Sequence, residues 1–286
     1  MPSIKEYDVK LKSLRNTQKM VKTMKMVSAS KLRRAQEAQR NSAAYAEKLT
    51  SMISRLSASV PNADHPLLDV RPATRTLVIV FTSDRGLCGG FNNNLAKFVQ
   101  KWVEQNKSEI REIELSFCGR RGFSYFRRRQ KLAKNYEDVT AAPNFDTAEE
   151  IGEAICDQFI AGDYDEVYLA FNTFLSPLAQ EPTLFKLLPV GGEVMEGGDA
   201  VPSDYIFEPP CEEMLKMLVP RTVYYKLYHT FLENAAGEHG ARMTAMDNAT
   251  NNASDLIESY TLLRNRARQA AITTELTEIV AGAEAL

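Results

Sequence analysis

The pattern of apolar and polar residues divides the chain into a long helix, a compact α/β middle and a longer helix. In the first part, apolar side chains recur at spacings of three and four, which is typical of one helix face. They stand at Ile4, Tyr7, Leu11, Leu14, Val21, Met24 and Val27, with Gln18 filling one position of the stripe. No Gly or Pro occurs between Pro2 and Pro61, so the pattern predicts one helix from about Ser3 to about Ser59. A helix of about 55 residues would be about 80 Å long, so it must project from a domain or pair with another helix.

The last part has the same character from about Cys211 to the end. Glu208-Pro209-Pro210 marks its start, and Pro220 is expected to break or kink it early. Alternating steps of four and three reach mostly apolar residues, at Leu218, Thr222, Tyr225, His229, Leu232, Ala236, His239, Met243, Met246, Thr250, Ala253, Ile257 and Tyr260. A period near 3.5 favours a left-handed coiled coil. Two long helices separated by a domain predict an antiparallel coiled coil within the chain, with the domain at one end.

The middle alternates strand-like and helix-like segments. Predicted strands cover Thr76–Thr82, Ile113–Cys118, Glu166–Phe174 and, at an edge, Thr183–Val190. Predicted helices cover Asn94–Glu104 and Thr147–Ile160, the second with Asp146 as its N-cap and Gly162 as its end. This alternation predicts an α/β fold with an open, Rossmann-like sheet. The expected parts are an N-terminal coiled-coil helix over 1–60, a central α/β domain over 74–207 and a C-terminal coiled-coil helix over 211–286.

Composition and charge narrow the function classes. The 286 residues are 44% apolar and 25% charged, typical of a folded globular protein, and no segment approaches the length of a membrane span. Residues 9–36 hold nine Lys or Arg and no acidic residue, which leaves 26 basic and 37 acidic residues elsewhere, a formal charge of −11. This basic stripe fits a solvated helix face, an acidic protein partner or nucleic-acid phosphate. Against nucleic acid, it has almost no aromatic residues for base stacking.

A second basic cluster lies in the middle part and also contains aromatic residues. Its members are Arg120, Arg121, Arg127, Arg128, Arg129, Lys131 and Lys134, with Phe123, Tyr125 and Phe126 among them. The favoured interpretation is a helix that packs its aromatic side chains onto the sheet and points its arginines outward.

No segment predicts an active site, a cofactor or a metal. The glycine-rich stretch Thr82–Asn92 follows a strand and precedes a helix, where phosphate-binding loops occur, but it lacks the lysine and hydroxyl of GxxxxGK[ST] and does not fit GxGxxG. A tight turn is the favoured interpretation, and a nucleotide site is the weaker one. Cys88 in this stretch is a weak candidate nucleophile, since no His lies near it in sequence. The four cysteines form no CxxC pair, so they are interpreted as buried thiols.

Several segments together resemble the gamma subunits of F-type ATP synthases. At the N-terminal end these are NTQKM at 16–20 and MKMVSASK at 24–31, and in the middle SDRGLCGG at 83–90. In the last helix they are EHGARMTAM at 238–246 and ARQAAITTEL at 267–276. The match is in order and covers nearly the whole chain. The resemblance implies a non-catalytic subunit, the central rotor shaft, whose coiled coil stands inside a ring of three alpha and three beta subunits. It also implies that the α/β domain sits beside epsilon on the c-ring, and that rotation couples ion flow to ATP synthesis or hydrolysis.

The resemblance also implies contact residues. Arg242 and Gln269 fall at family positions implicated in gripping a beta loop, Met24 where an added positive charge disturbs coupling, and Thr273 in the same bearing region. Tyr205 and Glu208 fall in a segment that lies over the c-ring loops. The alanine-rich end of the chain carries no Lys or Arg after Arg268, so a slim, largely uncharged tip is expected to turn in an apolar sleeve.

Charge sign adds one further expectation about partners. The basic stripe would face the acidic segment that family beta subunits present near the shaft, so replacing Lys22, Lys25 and Lys31 with Glu should uncouple synthesis from ion flow. One copy per complex is expected, with no nucleic acid and with membrane contact only through the c-ring.

The location is inferred from what the chain lacks. It begins with charged residues rather than an apolar signal, and the region 191–211 holds one cysteine and no dithiol insert of the chloroplast type. These features predict a bacterial protein peripheral to the cytoplasmic face of the inner membrane. The main alternative is a coiled-coil protein with a Rossmann-like domain that binds nucleotide or nucleic acid.

Overall fold

A computed structural model describes residues 4–59, 65–191 and 208–284. Contacts divide the chain into two compact units: one joins residues up to Ser28 with those from Arg242 onward, and the other runs from Ala29 to Ala241. Helix α1 spans Ile4–Ser59 and helix α5 spans Cys211–Glu284, so each long helix contributes to both units. The two long helices predicted from the sequence are confirmed. Pro220 lies inside α5 without ending it, so a break there is wrong, and the alternative of a kink stays a prediction.

The second unit is built on a five-stranded sheet. Its strands are β1 (Arg75–Phe81), β2 (Glu112–Cys118), β3 (Leu132–Tyr136), β4 (Glu166–Phe174) and β5 (Gln180–Leu188). They lie in the order β3-β2-β1-β4-β5, with β5 antiparallel to β4 and all other neighbours parallel. Helices α2 (Phe91–Asn106), α3 (Arg120–Phe126) and α4 (Phe145–Ala161) connect the parallel strands, and a short 3₁₀ turn covers Pro66–Leu68. The open, Rossmann-like sheet is therefore confirmed.

Strand β1 is central and buried on both faces, as its unbroken apolar run predicts. Val78 and Val80 face a core shared with α2 and α3. Leu77, Ile79 and Phe81 face a second core shared with α4 and with the first part of α5. The sheet is thus the middle of three layers, and α5 is a structural component of one of them.

Some element boundaries differ from the prediction. Helix α2 begins at Phe91, three residues earlier than expected, directly after the glycine-rich turn. The N-cap of α4 is Asn144, whose side chain accepts from the Thr147 N–H at 2.7 Å, so the assignment of Asp146 was wrong. Asp146 instead lies in the first turn, where its charge suits the helix dipole. Gly162 caps the helix in the left-handed conformation (φ 79°), as expected.

Strand β3 was not predicted, and it forms one edge of the sheet. Its five residues, LAKNY, include only one aliphatic residue with a large side chain, so no alternation distinguishes them from a loop. The other edge is β5, in agreement with the edge position expected from its flanking prolines.

Asp165 fastens the starts of β1 and β4 to each other. It is 7% exposed, and its Oδ2 accepts from Thr74 N at 3.0 Å, Thr74 Oγ1 at 2.5 Å and Arg75 N at 2.8 Å. Burial pushes the pKa of this carboxyl upward, but the hydrogen bonds from Thr74 and Arg75 outweigh it and hold the pKa below its ordinary value.

Asp165→Asn is expected to lower the free energy of unfolding at pH 7 by about 1–3 kcal/mol, because hydrogen bonds to a charged acceptor are lost. A depressed carboxyl pKa contributes stability that is full above the unfolded pKa, about 3.9, and is lost as pH falls through the folded value. Urea unfolding of both chains between pH 7 and the acid limit of the fold should therefore show the difference shrinking below about pH 4. A difference that stays constant over that range would contradict the assignment.

Candidate functional site

The first unit consists of two helical segments that run antiparallel. Three side-chain pairs fix their register. From the first pair to the last, the residue number rises by 17 on α1 and falls by 17 on α5. These pairs are Asp8 with Arg264 at 3.5 Å, Gln18 with Ser254 at 2.8 Å and Lys25 with Asp247 at 2.5 Å. The rings of Tyr7 and Tyr260 pack at 6.3 Å between centroids. The predicted antiparallel pairing is therefore confirmed within this unit.

The positions that were predicted to form the coiled-coil interface of α5 agree with the burial of its side chains. All thirteen positions predicted from Leu218 to Tyr260 are buried or half-buried. On α1, however, Val27 is 51% exposed and its neighbour Ser28 is 3% exposed. The prediction that Val27 lies on the buried face of the helix was therefore wrong. A constant repeat of three and four from Ile4 reaches Lys25 and Ser28, which shows that the helix keeps its register and accepts polar residues there.

The basic stripe contains lysines in two different environments. Lys25 is half-buried, with 40% of its side chain exposed, and its partner Asp247 belongs to the same chain. Lys22 and Lys31 are exposed. Of the three lysines that were predicted to contact a partner subunit, one therefore forms an ion pair within the coiled coil.

A double-mutant cycle on Lys25→Ala and Asp247→Ala is expected to give a coupling energy below about 1 kcal/mol. Both side chains are about half exposed, so solvent screens the pair and high salt should reduce the coupling further. Urea unfolding of the full chain, followed by helix circular dichroism at low and high salt, measures it. A coupling above about 2 kcal/mol would contradict this and would assign the pair a main role in specifying the register.

The remaining predicted residues of the coiled coil differ in exposure. Met24 is half-buried, as expected for a methionine at the edge of a seam. Arg242 is only 9% exposed, and the nearby Glu238 and His239 are also buried. The prediction for Arg242 took it as a group that a partner could reach, whereas in this chain the residue is packed inside.

The end of α5 has a surface of different character. Gln269 and Thr273 are exposed one turn apart, and the Thr273 hydroxyl donates to the Gln269 carbonyl at 2.9 Å. An apolar stripe follows at spacings of four, three and one, and its members are 50–68% exposed. They are Ile272, Leu276, Ile279 and Val280. The sequence shows the alanines of this segment, but the stripe was not predicted, although its helical spacing alone could have indicated it. A contiguous exposed apolar face indicates a contact with another protein.

The two predicted residues near the start of α5 are only partly described. Glu208 is exposed in the bend before α5. Tyr205 lies outside the residues that the structure describes.

The glycine-rich turn uses its polar groups within the fold. Asn92 Oδ1 accepts from Ser83 N at 2.9 Å, and Asn92 Nδ2 donates to Ser83 Oγ at 2.7 Å and to Cys88 Sγ at 3.2 Å. The Asp84 carboxylate accepts from Arg120 N at 3.1 Å and from the Thr140 hydroxyl at 2.8 Å. Since these bonds join the turn to α2, α3 and the segment before α4, they favour the interpretation as a structural turn.

Cys88 does not have the exposure that a reactive thiol needs. It is 2% exposed, and Cys118 and Cys156 are also buried and unbridged. Burial raises the pKa of the Cys156 thiol to about 12 and that of Cys118 still higher. For these three residues the interpretation as buried thiols is confirmed.

The place where a Rossmann-type sheet usually binds its ligand is filled by α5. Such ligands lie outside the carboxyl ends of the strands where the strand order reverses, here between β1 and β4. Asn234 of α5 donates to the Thr82 carbonyl at 3.5 Å at the end of β1. A Cβ on Gly237 would lie 2.9 Å from the Phe91 ring. The nucleotide interpretation therefore lacks the open crevice that it requires.

The second basic cluster is arranged as predicted. Phe126 is buried against Phe117, with ring centroids 5.6 Å apart, which packs α3 onto the sheet. Arg127, Arg128 and Arg129 are exposed, and Arg129 lies over the Tyr125 ring at 4.3 Å. Aromatic side chains pack inward and arginines point outward, as that interpretation requires.

Within the described ranges, no helix is long and apolar enough to cross a membrane. The same part of the chain holds no group of three or more His, Cys, Asp or Glu able to bind a metal ion.

Known proteins resemble this chain over its whole length. Residues 3–286 match the family model described as ATP synthase. The ATP synthase gamma chain of Geobacter metallireducens is 44% identical over 286 residues, covering 100% of this chain and 99% of that protein. The chain belongs to the ATP synthase gamma-chain family. The gamma chain of Pelotomaculum thermopropionicum is 42% identical over 287 residues, with 100% of both chains covered.

Two solved structures resemble this chain in fold. A chain from the central stalk and c-ring of the Tetrahymena thermophila mitochondrial ATP synthase aligns with a TM-score of 0.62 at 25% identity, covering 80% of this chain and 99% of that one. A chain from the Euglena gracilis mitochondrial ATP synthase aligns with a TM-score of 0.72 at 18% identity, covering 99% and 94%, and supports the fold alone. Like its relatives, this gamma chain is a subunit of an enzyme complex rather than an enzyme by itself, as the sequence predicted.

Proposed function

We propose that this chain is the central rotor shaft of an F-type ATP synthase. It couples ion flow through a membrane c-ring to ATP synthesis or hydrolysis at the alpha and beta subunits by rotation. The observation that carries the proposal is full-length similarity to ATP synthase gamma chains, combined with a paired-helix register that stays constant over 17 positions. A shaft needs stiffness, and a continuous coiled coil supplies it.

The mechanism requires that the shaft contact identical subunits differently. A ring of three beta subunits of one sequence can be driven through different states only by contacts that differ in free energy from site to site. Two paired helices have different side chains on each flank, so they present a different surface in each direction. Rotation then changes which beta subunit meets which flank.

The basic stripe is the proposed contact with the acidic segment of beta. Lys22 and Lys31 are exposed and supply the charge, while Lys25 contributes less because Asp247 already pairs with it. Met24 lies beside them on α1 and is half-buried.

The far end of α5 is the proposed bearing surface. The exposed stripe of Ile272, Leu276, Ile279 and Val280 fits an apolar sleeve formed by alpha and beta. Gln269 and Thr273 are exposed at the start of this segment and are the proposed polar contacts with a beta loop. For Arg242 to serve the same loop, its buried side chain would have to move on assembly.

The domain built on the sheet, here called the foot, is proposed to rest on the c-ring beside epsilon. Tyr205 and Glu208 would face the ring, and the ring would be the only route to the membrane. The complex would hold one copy of this chain, bind no nucleic acid, and lie on the cytoplasmic face of a bacterial inner membrane.

Reconstitution tests the proposal. The purified chain would be mixed with cognate alpha and beta subunits, and ATP hydrolysis followed beside a mixture without it. The expected result is a stable complex with one copy of the chain and sustained hydrolysis that depends on it. A chain that forms no complex and leaves hydrolysis unchanged would refute the proposal, and nucleotide and nucleic-acid binding would then be tested.

A further inference from the structure

One stretch of α5 is enclosed on every side. All eleven residues from 230 to 240 are buried, so no face of the helix meets solvent there. A helix in an ordinary protein core would be apolar at such a place. This stretch instead carries Glu233, Asn234, Glu238 and His239. Buried polar groups are costly unless they make defined hydrogen bonds, so their presence indicates specific contacts.

Two of these side chains bind the ends of neighbouring parallel strands. Glu233 Oε1 accepts from the Phe174 N–H at 3.2 Å, at the end of β4. Asn234 Nδ2 donates to the Thr82 carbonyl at 3.5 Å, just after β1. The two strands are adjacent, so α5 is held at both sides of the point where the strand order reverses.

One turn further along, two glycines let aromatic rings touch the helix backbone. A Cβ on Gly237 would lie 2.9 Å from Cε2 of Phe91, the first residue of α2. A Cβ on Gly240 would lie 3.0 Å from Cε2 of Phe174 and 3.2 Å from Cα of Pro177. The Gly237 distance is shorter than real Cβ contacts, and the Gly240 distances are tighter than most of them, so a side chain at either position would force its neighbours to move.

The backbone of Phe91, which carries one of these rings, is held by the neighbouring strand. Asn172 Nδ2 of β4 donates to the Phe91 carbonyl at 3.2 Å, which joins β4 to the start of α2. Two residues before Glu233 on α5, Phe231 packs edge-to-face against Phe81 of β1, with ring centroids 5.0 Å apart. Strands β4 and β1 therefore hold the start of α2 and contact α5, respectively.

We propose that the Phe91 and Phe174 rings and the two strand ends form a socket that clamps α5. Torque then passes between the foot and the shaft through four residues of α5, which are Glu233, Asn234, Gly237 and Gly240. The inference rests on the proposed rotor function. If α5 turned about its own axis, Glu233 and Asn234 would leave their strand ends. Other side chains of α5 would then rotate into the places that the glycines occupy and collide with Phe91 and Phe174. Hydrogen bonds and steric fit thus resist rotation together, at the place where related folds hold a ligand.

The test uses the complete ATP synthase reconstituted in lipid vesicles. Asn234→Ala and Gly237→Ala are expected to leave ATP hydrolysis per assembled complex within about twofold of wild type, since the alpha and beta subunits are unchanged. Ions pumped per ATP hydrolysed should fall at least about threefold, because the shaft slips in the foot.

Matched controls separate slippage from general damage. Asn251→Ala makes the same chemical change at an exposed position of α5. Gly191→Ala adds a Cβ that would meet no atom within 4 Å. Both controls should pump as wild type does.

A conservative pair keeps the proposal testable if Gly237→Ala fails to assemble. Glu233→Gln retains an oxygen that accepts from Phe174 N and should keep the pumping ratio, whereas Glu233→Ala should lower it. Wild-type pumping ratios in Asn234→Ala and Glu233→Ala would overturn the socket. A wild-type chain that supports no hydrolysis would instead overturn the rotor proposal, so the two failures are distinguishable.

Discussion

Gly119→Ala is expected to lower the free energy of unfolding by at least about 3 kcal/mol, the largest loss predicted for any single substitution here. Gly119 has φ 114°, a conformation that side-chain-bearing residues rarely adopt. A Cβ at this position would lie 2.3 Å from the Thr82 carbonyl oxygen, which belongs to the main chain. That backbone cannot move freely, because Thr82 N donates to the Cys118 carbonyl at 2.8 Å and continues the ladder between β1 and β2.

Two other glycines separate backbone strain from steric collision. Gly162 has φ 79°, and an added Cβ would meet only Arg71 Nη1, at 3.9 Å. Gly89 has φ 58° and would meet nothing within 4 Å. Alanine at either position should therefore cost only about 1 kcal/mol, the cost of the conformation alone. Urea unfolding followed by the fluorescence of Trp102, the single tryptophan, measures all three variants. Equal losses at the three positions would contradict the steric argument.

The fold could be predicted where the local pattern and the tertiary environment agree. β1 is an unbroken apolar run because it is central, and the long helices are uninterrupted by glycine or proline over most of their length. β3 could not be predicted, because an edge strand buries little and needs no alternation. The continuation of α5 through Pro220 also depends on tertiary packing, since Leu215, Val219 and Val223 on either side of it are buried in the core.

The candidate site shows the same limit. The basic stripe can be counted in the sequence, but only the register between the helices shows that Lys25 faces Asp247. Family resemblance places Arg242 at a contact position, yet it does not show that the side chain is buried in the isolated chain. The socket was missed because a glycine in a helix reads as a weak point unless the neighbouring ring is known.

Reversing the charge of Lys22 and Lys31 to Glu is expected to reduce ATP synthesis driven by an ion gradient by roughly tenfold. Both lysines are exposed on α1 in a stretch without acidic residues, and the proposed partner segment is acidic, so reversal turns attraction into repulsion. ATP hydrolysis should change less than about twofold, because the catalytic sites are untouched. The measurement is synthesis and hydrolysis by the same reconstituted preparation. Lys25 is left unchanged, since Glu at that position would face Asp247 and weaken the coiled coil instead.

Control variants distinguish a local contact from net charge. Lys97→Glu with Lys101→Glu makes the same total change on an exposed face of α2 and should leave synthesis unchanged. Glutamine at positions 22 and 31 removes attraction without adding repulsion, so it should fall between wild type and the Glu variant. Higher ionic strength should narrow the gap between wild type and the Glu variant, because salt screens exposed charges. If the Lys22/Lys31 variant synthesises ATP as fast as the Lys97/Lys101 variant, the stripe is a solvated helix face. The shaft would then drive the beta subunits through shape alone.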